Sequence, residues 1–133
     1  MVSVRLSYSD DPCLRSARTE KVTTPTECFY LITLQKKLWG GDNQFRDVVI
    51  AHECAHIELG HVDNVTPTTV TEYVDREIEA DIHSILSGKA TPEQVMAALR
   101  FATTDKEWEV YTDPNTNWGR RLTSLMNLQN CNA

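Results

Sequence analysis

Five consecutive residues, His52-Glu53-Cys54-Ala55-His56, constrain the structure of this chain more than any other part of its sequence. In an α-helix, residues four positions apart point only about 40° from one another, so the two imidazoles would face one point in space. Glu53 lies roughly 100° round the helix from His52 and about 60° from His56. Two such histidines are zinc ligands, and a carboxylate beside them is a general base. The segment therefore predicts a helix with a metal centre, in which His52 and His56 are ligands and Glu53 is the base.

A third ligand has to come from elsewhere, because a catalytic zinc ion needs three protein ligands and one open position. One known arrangement takes a Gly three residues and a His six residues after the second His, but Leu59 and Val62 occupy these positions. Another arrangement takes a Glu from a second helix, and Glu77 lies in a helical pattern from about Thr71 to Ser87. Asp81 follows on the same face and is predicted to accept a hydrogen bond from a zinc histidine. The predicted cofactor is one Zn2+ per chain.

The two motifs, HExxH and ExxAD, are where the chain resembles the gluzincin zinc metallopeptidases. The likeness is closest to the CaaX-prenyl-protease-like branch and its small relatives, the minigluzincins. His61 falls where those proteins often carry a His, and residues 29–34 are similar to the strand that precedes their active-site helix. Asp113-Pro114 followed by Arg120-Arg121 is similar to a downstream His-Pro and Arg element of the family, although Asp113 stands in place of the His. The resemblance covers about residues 28–125.

This resemblance implies an endopeptidase that acts on a peptide or protein substrate. Zinc would lower the pKa of a bound water molecule toward ~7, and Glu53 would take its proton and later give it to the leaving amine. If residues 29–34 form an exposed edge of the sheet, the resemblance also implies that the substrate binds along them in extended form. The reaction needs a further donor for the developing oxyanion. Five residues of the chain are candidates for this donor: His61, Tyr73, Tyr111, Arg120 and Arg121.

Several alternatives stay open at this point. Gly60 is typical of a helix end, where a His interacts favourably with the helix dipole, so His61 also has a purely structural interpretation. The whole chain could be a catalytically inactive zinc-binding interaction domain, but Glu53 argues against this because a scaffold needs no base there. It could also be a protease dedicated to one regulatory protein. Residues 9–27 and 126–133 are long enough to fold across a small cleft, which predicts a latent enzyme, a zymogen covered by its own segments.

Charge and hydropathy exclude other classes of protein. A net charge of −6 argues against a nucleic-acid surface, which needs clustered Lys and Arg. The longest aliphatic run is Val48–Ala51, far below the ~18 residues of a membrane span. Residues 2–8 alternate apolar and polar like a strand and not like a signal peptide, so the expected location is the cytoplasm. The sequence leaves the oligomeric state undetermined.

The predicted fold is a single metallopeptidase domain, residues 1–133, of the α+β class. It is a small zincin-type domain in which a short sheet packs on the active-site helix beside about three further helices. Strands are predicted at residues 2–8 and 28–34, with a polar loop between them. The active-site helix is predicted to start at a cap on Asp42 or Asn43 and to run to about Leu59. The other helices are predicted at 71–87, from the start signal Thr91-Pro92-Glu93-Gln94, and at 118–128.

Overall fold

The structure, a computed structural model, describes residues 3–131. Val2 of the first predicted strand, and residues 132–133 of the predicted covering segment, lie outside the described residues. Three strands and six helices form within the described range, which confirms the predicted α+β class. They are β1 Ser3–Ser9, β2 Ala17–Thr23, β3 Cys28–Gln35, α1 Lys36–Trp39, α2 Arg46–Glu58, α3 Val70–Leu86, α4 Pro92–Ala102, α5 Asp105–Tyr111 and α6 Asn117–Cys131.

The chain divides into two compact units, Met1–Val65 and Thr66–Ala133. The first unit contains the sheet together with α1 and α2, and the second unit contains the helices α3 to α6. The prediction that the chain works as one metallopeptidase domain stays a prediction.

In the first unit the strand order is β1-β3-β2, so that β3 lies in the centre of the sheet. It runs parallel to β1 and antiparallel to β2. Alternate residues of a strand point to the same face, and on one face of β3 the side chains of Tyr30, Ile32 and Leu34 are all buried. The helix α2 packs against β2 and β3. The sheet is therefore packed on the predicted active-site helix.

The strand β2 corrects two expectations. Residues 9–27 do not form only a polar loop, because Ala17–Thr23 pairs along the whole of β3. Three of its seven side chains are charged, which is unusual for a strand, and its partner β3 supplies the pairing that its own composition does not favour. Residues 29–34 are consequently not an exposed edge, since β3 is paired on both sides.

The active-site helix begins later than the predicted cap. A short helix, α1, follows β3 directly, and α2 starts only at Arg46. The side chain of Asn43 accepts a hydrogen bond from the backbone N–H of Phe45 at 2.7 Å. Asn43 thus stabilises the turn that leads into α2 instead of capping the helix itself.

The second unit is a helical bundle in which α6 packs against α3, α4 and α5. The predicted start of α4 is confirmed, because Thr91 and Gln94 form a capping box and Pro92 is the first helical residue. The helix α5 is absent from the sequence prediction, although Thr104 and Glu107 form a second capping box at its start. Leu125 of α6 and Val74 of α3 are both fully buried in the core.

Two further observations concern the described residues as a whole. None of the helices between residues 3 and 131 combines the length and the hydrophobicity that a membrane span requires. All four cysteines lie in this range, and no disulfide joins any of them.

Candidate metal centre

The side chains of His52, Glu53 and His56 come together on one side of α2. The Nε2 atoms of His52 and His56 lie 3.1 Å apart, and the two rings meet edge to face with their centroids 4.7 Å apart. A carboxylate oxygen of Glu53 lies 3.9 Å from Nε2 of His56. One potential ligand atom from each residue lies within 4.8 Å of the others. The helical spacing seen in the sequence therefore does produce a convergent group of metal-binding atoms.

This group fits a divalent metal ion. Two nitrogen ligands at 2.0–2.1 Å from a tetrahedral zinc ion lie about 3.3 Å from one another, close to the observed separation of the two Nε2 atoms. Glu53 is buried, with 6% of its surface exposed. A cation beside this carboxylate would favour its charged form. Imidazole and carboxylate ligands suit zinc and also other first-row metals, so the donor set by itself does not select one metal.

A third histidine belongs to the same group. The helix α2 ends with a Schellman motif, in which Gly60 has φ of 78° and its N–H donates to the carbonyl of Ile57 at 3.0 Å. The N–H of His61 donates to the carbonyl of His56 at 2.9 Å. This turn folds the chain back along the last turn of the helix and places Nδ1 of His61 2.9 Å from Nδ1 of His56. We call His52, Glu53, His56 and His61 the histidine cluster.

The loop after the histidine cluster is fixed to the sheet. The hydroxyl of Tyr30 donates to the carboxylate of Asp63 at 2.7 Å, and Nζ of Lys21 lies 3.3 Å from the same carboxylate. The hydrogen bond from Tyr30 holds the pKa of Asp63 below its ordinary value. Asp63 is only two residues beyond His61, so these contacts hold the loop that follows His61 against the sheet.

In the second unit, Glu77 and Asp81 lie on α3, and both bind Arg121 of α6. Nε and Nη2 of Arg121 donate to the two carboxylate oxygens of Asp81 at 2.7 and 3.0 Å. Nη1 of Arg121 lies 3.3 Å from a carboxylate oxygen of Glu77. We call these three residues the carboxylate cluster.

The carboxylate cluster is stabilised by ion pairs between side chains that are largely buried. Asp81 is 1% exposed and Arg121 is 9% exposed. Burial by itself lowers the pKa of Arg121, but the negative charges of Asp81 and Glu77 outweigh it, and the pKa is raised overall. Arg121 therefore stays charged and compensates two acidic side chains. Its expected contact with substrate or oxyanion stays a prediction.

The other donor candidates occupy different environments. Tyr111 is mostly buried, and this burial raises the pKa of its phenol, an effect that the charge of Arg121 partly offsets. Tyr73 is 49% exposed and meets the ring of Trp118 edge to face, at 5.6 Å between centroids. Nη1 of Arg120 donates to Asp75 at 2.7 Å. Tyr111 alone combines burial near Arg121 with a hydroxyl that keeps its proton at neutral pH.

Asp113, at the position where the sequence resemblance would place a histidine, stabilises a turn. Its carboxylate accepts a hydrogen bond from the backbone N–H of Asn115 at 3.0 Å, which fixes the turn before α6. Its carbonyl approaches Gly119 so closely that a Cβ there would lie 1.8 Å from the oxygen. The turn therefore requires glycine at position 119.

Comparison of the chain with known protein families, with curated proteins and with solved structures gives no match. A functional assignment consequently depends on the two clusters and on the motifs that encode them.

Proposed function

We propose that this protein is a zinc-dependent endopeptidase of the gluzincin type. The observation that carries the proposal is the pair of Nε2 atoms of His52 and His56, 3.1 Å apart, with the buried carboxylate of Glu53 at 3.9 Å from the second of them. This arrangement would supply two of the three protein ligands, and the base, that hydrolysis by a zinc peptidase requires. Glu77 is the proposed third ligand, and Asp81 the residue that orients a ligand histidine. These last two roles are supported by the sequence pattern alone.

Each residue has a separate task in the proposed reaction. A bound zinc ion would lower the pKa of a water molecule toward ~7 and polarise the carbonyl of the scissile peptide. Glu53 accepts the proton of the attacking water and then donates it to the nitrogen of the leaving amine. Tyr111 is the proposed oxyanion donor, because its hydroxyl is a neutral hydrogen-bond donor in a largely buried position close to Arg121.

The proposed substrate is a peptide in extended form. Its binding strand cannot be β3, which has a partner on either side, so the proposal transfers this role to β2. This strand lies at an edge of the sheet and packs against α2, the helix that carries the histidine cluster. Its outer backbone groups would pair with the substrate as in other cases of strand addition.

The test compares the wild-type protein with Glu53→Gln, which keeps the shape of the side chain and removes the base. Metal content is measured by elemental analysis, and cleavage is measured with casein and a peptide library. We expect about one zinc ion per chain in both proteins and a fall in kcat/KM of about 10²–10⁴-fold in the variant. Asp47→Asn is the matched control, because Asp47 is an exposed acid on the same helix.

Two results would contradict the proposal. Equal cleavage by wild type and Glu53→Gln would mean that the activity does not come from this site. Zinc binding without any cleavage by the wild type would favour an inactive zinc-binding interaction domain. Cleavage of one protein but not of the library would identify a dedicated protease. The proposed mechanism would then stand, with a single protein as the substrate.

A further inference from the structure

We infer that His61 is a positioning residue of the metal centre, which holds His56 in the tautomer that can bind a metal ion. This role depends on the metal-binding function proposed above. His61 would not itself touch the metal. It would act on His56 through the contact between their Nδ1 atoms.

The 2.9 Å separation of these two Nδ1 atoms allows one proton between them. If His56 carries that proton, its Nε2 has a free lone pair that points toward Nε2 of His52. If His61 carries it, a neutral His56 must have its proton on Nε2, and this nitrogen can no longer bind metal. A ligand histidine commonly donates its second N–H to an acceptor, which fixes both the tautomer and the ring orientation. Nδ1 of His61 is in the position of that acceptor.

Backbone contacts hold His61 next to His56 without the help of a metal ion. The Schellman motif joins the N–H of His61 to the carbonyl of His56, so the same two residues meet through both backbone and side chain. Asp63 ties the following loop to Tyr30 of the sheet. Because these contacts are formed by the protein alone, the acceptor is already positioned when the metal binds.

The end of α3 shows that this motif does not by itself require a histidine. Gly88 donates to the carbonyl of Ile85 at 3.0 Å, and Lys89 donates to the carbonyl of Ser84 at 3.1 Å. The backbone pattern matches that of Gly60 and His61, while Lys89 and Ser84 occupy the places of His61 and His56. The contact between the side chains of His61 and His56 is therefore not a consequence of the Schellman motif itself.

The experiment measures zinc affinity by competition with a chromophoric chelator in the full-length protein. His61→Phe keeps an aromatic ring but removes both nitrogens, and we expect it to weaken zinc binding about 10–100-fold. His61→Gln offers a carbonyl oxygen as acceptor, and we expect it to restore most of the affinity. His83→Phe, a change of the same type on α3, is the control. Circular dichroism and thermal unfolding check that each variant folds.

Each result has a distinct meaning. Wild-type affinity in His61→Phe would overturn the role of His61 and leave the proposed zinc site intact. Equal losses in His61→Phe and His61→Gln would overturn the hydrogen bond as the cause. If the wild type binds no zinc, the proposed function itself fails. If His61→Phe does not fold, His61→Ala replaces it with the same expected loss of affinity.

Discussion

The helices α2 and α3 both carry predicted metal-site residues, but they hold these side chains in different ways. The members of the histidine cluster lie on α2 and in the turn that follows it, within ten positions of the sequence from His52 to His61, and their side chains contact one another. On α3 the carboxylates of Glu77 and Asp81 are held by Arg121, which is 40 positions from Asp81 in the sequence. The histidine cluster therefore depends on local helix and turn geometry. The carboxylate cluster depends on the packing of one helix against another.

This difference predicts which cluster contributes more to the stability of the fold. Arg121→Met should lower the free energy of unfolding by about 3–5 kcal/mol, because it leaves two acidic side chains without their buried partner. Urea denaturation measures the effect. Arg120→Met is the matched control, since Arg120 pairs with Asp75 at the surface and such pairs contribute about 0–1 kcal/mol. Equal losses in the two variants would remove the distinction between the clusters.

The histidine cluster should instead contribute to the stability of the fold only when a metal ion is bound. Zinc at about 100 times its Kd should raise the free energy of unfolding by about 2.7 kcal/mol, because it binds the folded protein and not the unfolded chain. Addition of a chelator should remove this gain. His52→Ala should abolish it, whereas Asp47→Ala should leave it unchanged. A zinc-dependent gain of the same size in His52→Ala would show that the metal binds elsewhere.

The turns that end α2 and α3 can be compared directly, because each contains a glycine with positive φ. Gly60 and Gly88 have φ of 78° and 75°, and in both cases a methyl group would meet nothing closer than an ordinary contact. Gly60→Ala and Gly88→Ala should each lower the free energy of unfolding by about 1–2 kcal/mol through backbone strain. Only Gly60→Ala should also weaken zinc binding, because only this turn positions a histidine. Unfolding and chelator competition on both variants test this pair of outcomes.

If neither glycine variant alters zinc affinity, the Schellman motif is not what positions His61. If both variants alter it equally, the effect comes from general loss of stability and not from the turn after α2. Either outcome would leave the assignment of His52 and His56 as ligands unaffected.

Much of the fold could be predicted where local signals were strong. The helix of the HExxH motif, the helix α3 and the capping box at Thr91 all lie near their predicted positions. The helix α5 had a usable signal as well, since Thr104 and Glu107 have the spacing of a capping box. The strand β2 had none, because three of its seven residues are charged. Its existence depends on pairing with β3, and that pairing is a property of the sheet.

The sequence by itself determined the histidine pair and its base, because residues three and four positions apart on a helix share a face whatever the helix packs against. It also determined the turn at Gly60, since few other residues adopt that backbone conformation. Only the tertiary structure decided that Arg121 binds Asp81 and Glu77 and that β3 is a central strand. Both features depend on contacts between residues that are far apart in the sequence. The contact between His56 and His61 is local, but it needs a side-chain orientation that the sequence pattern does not fix.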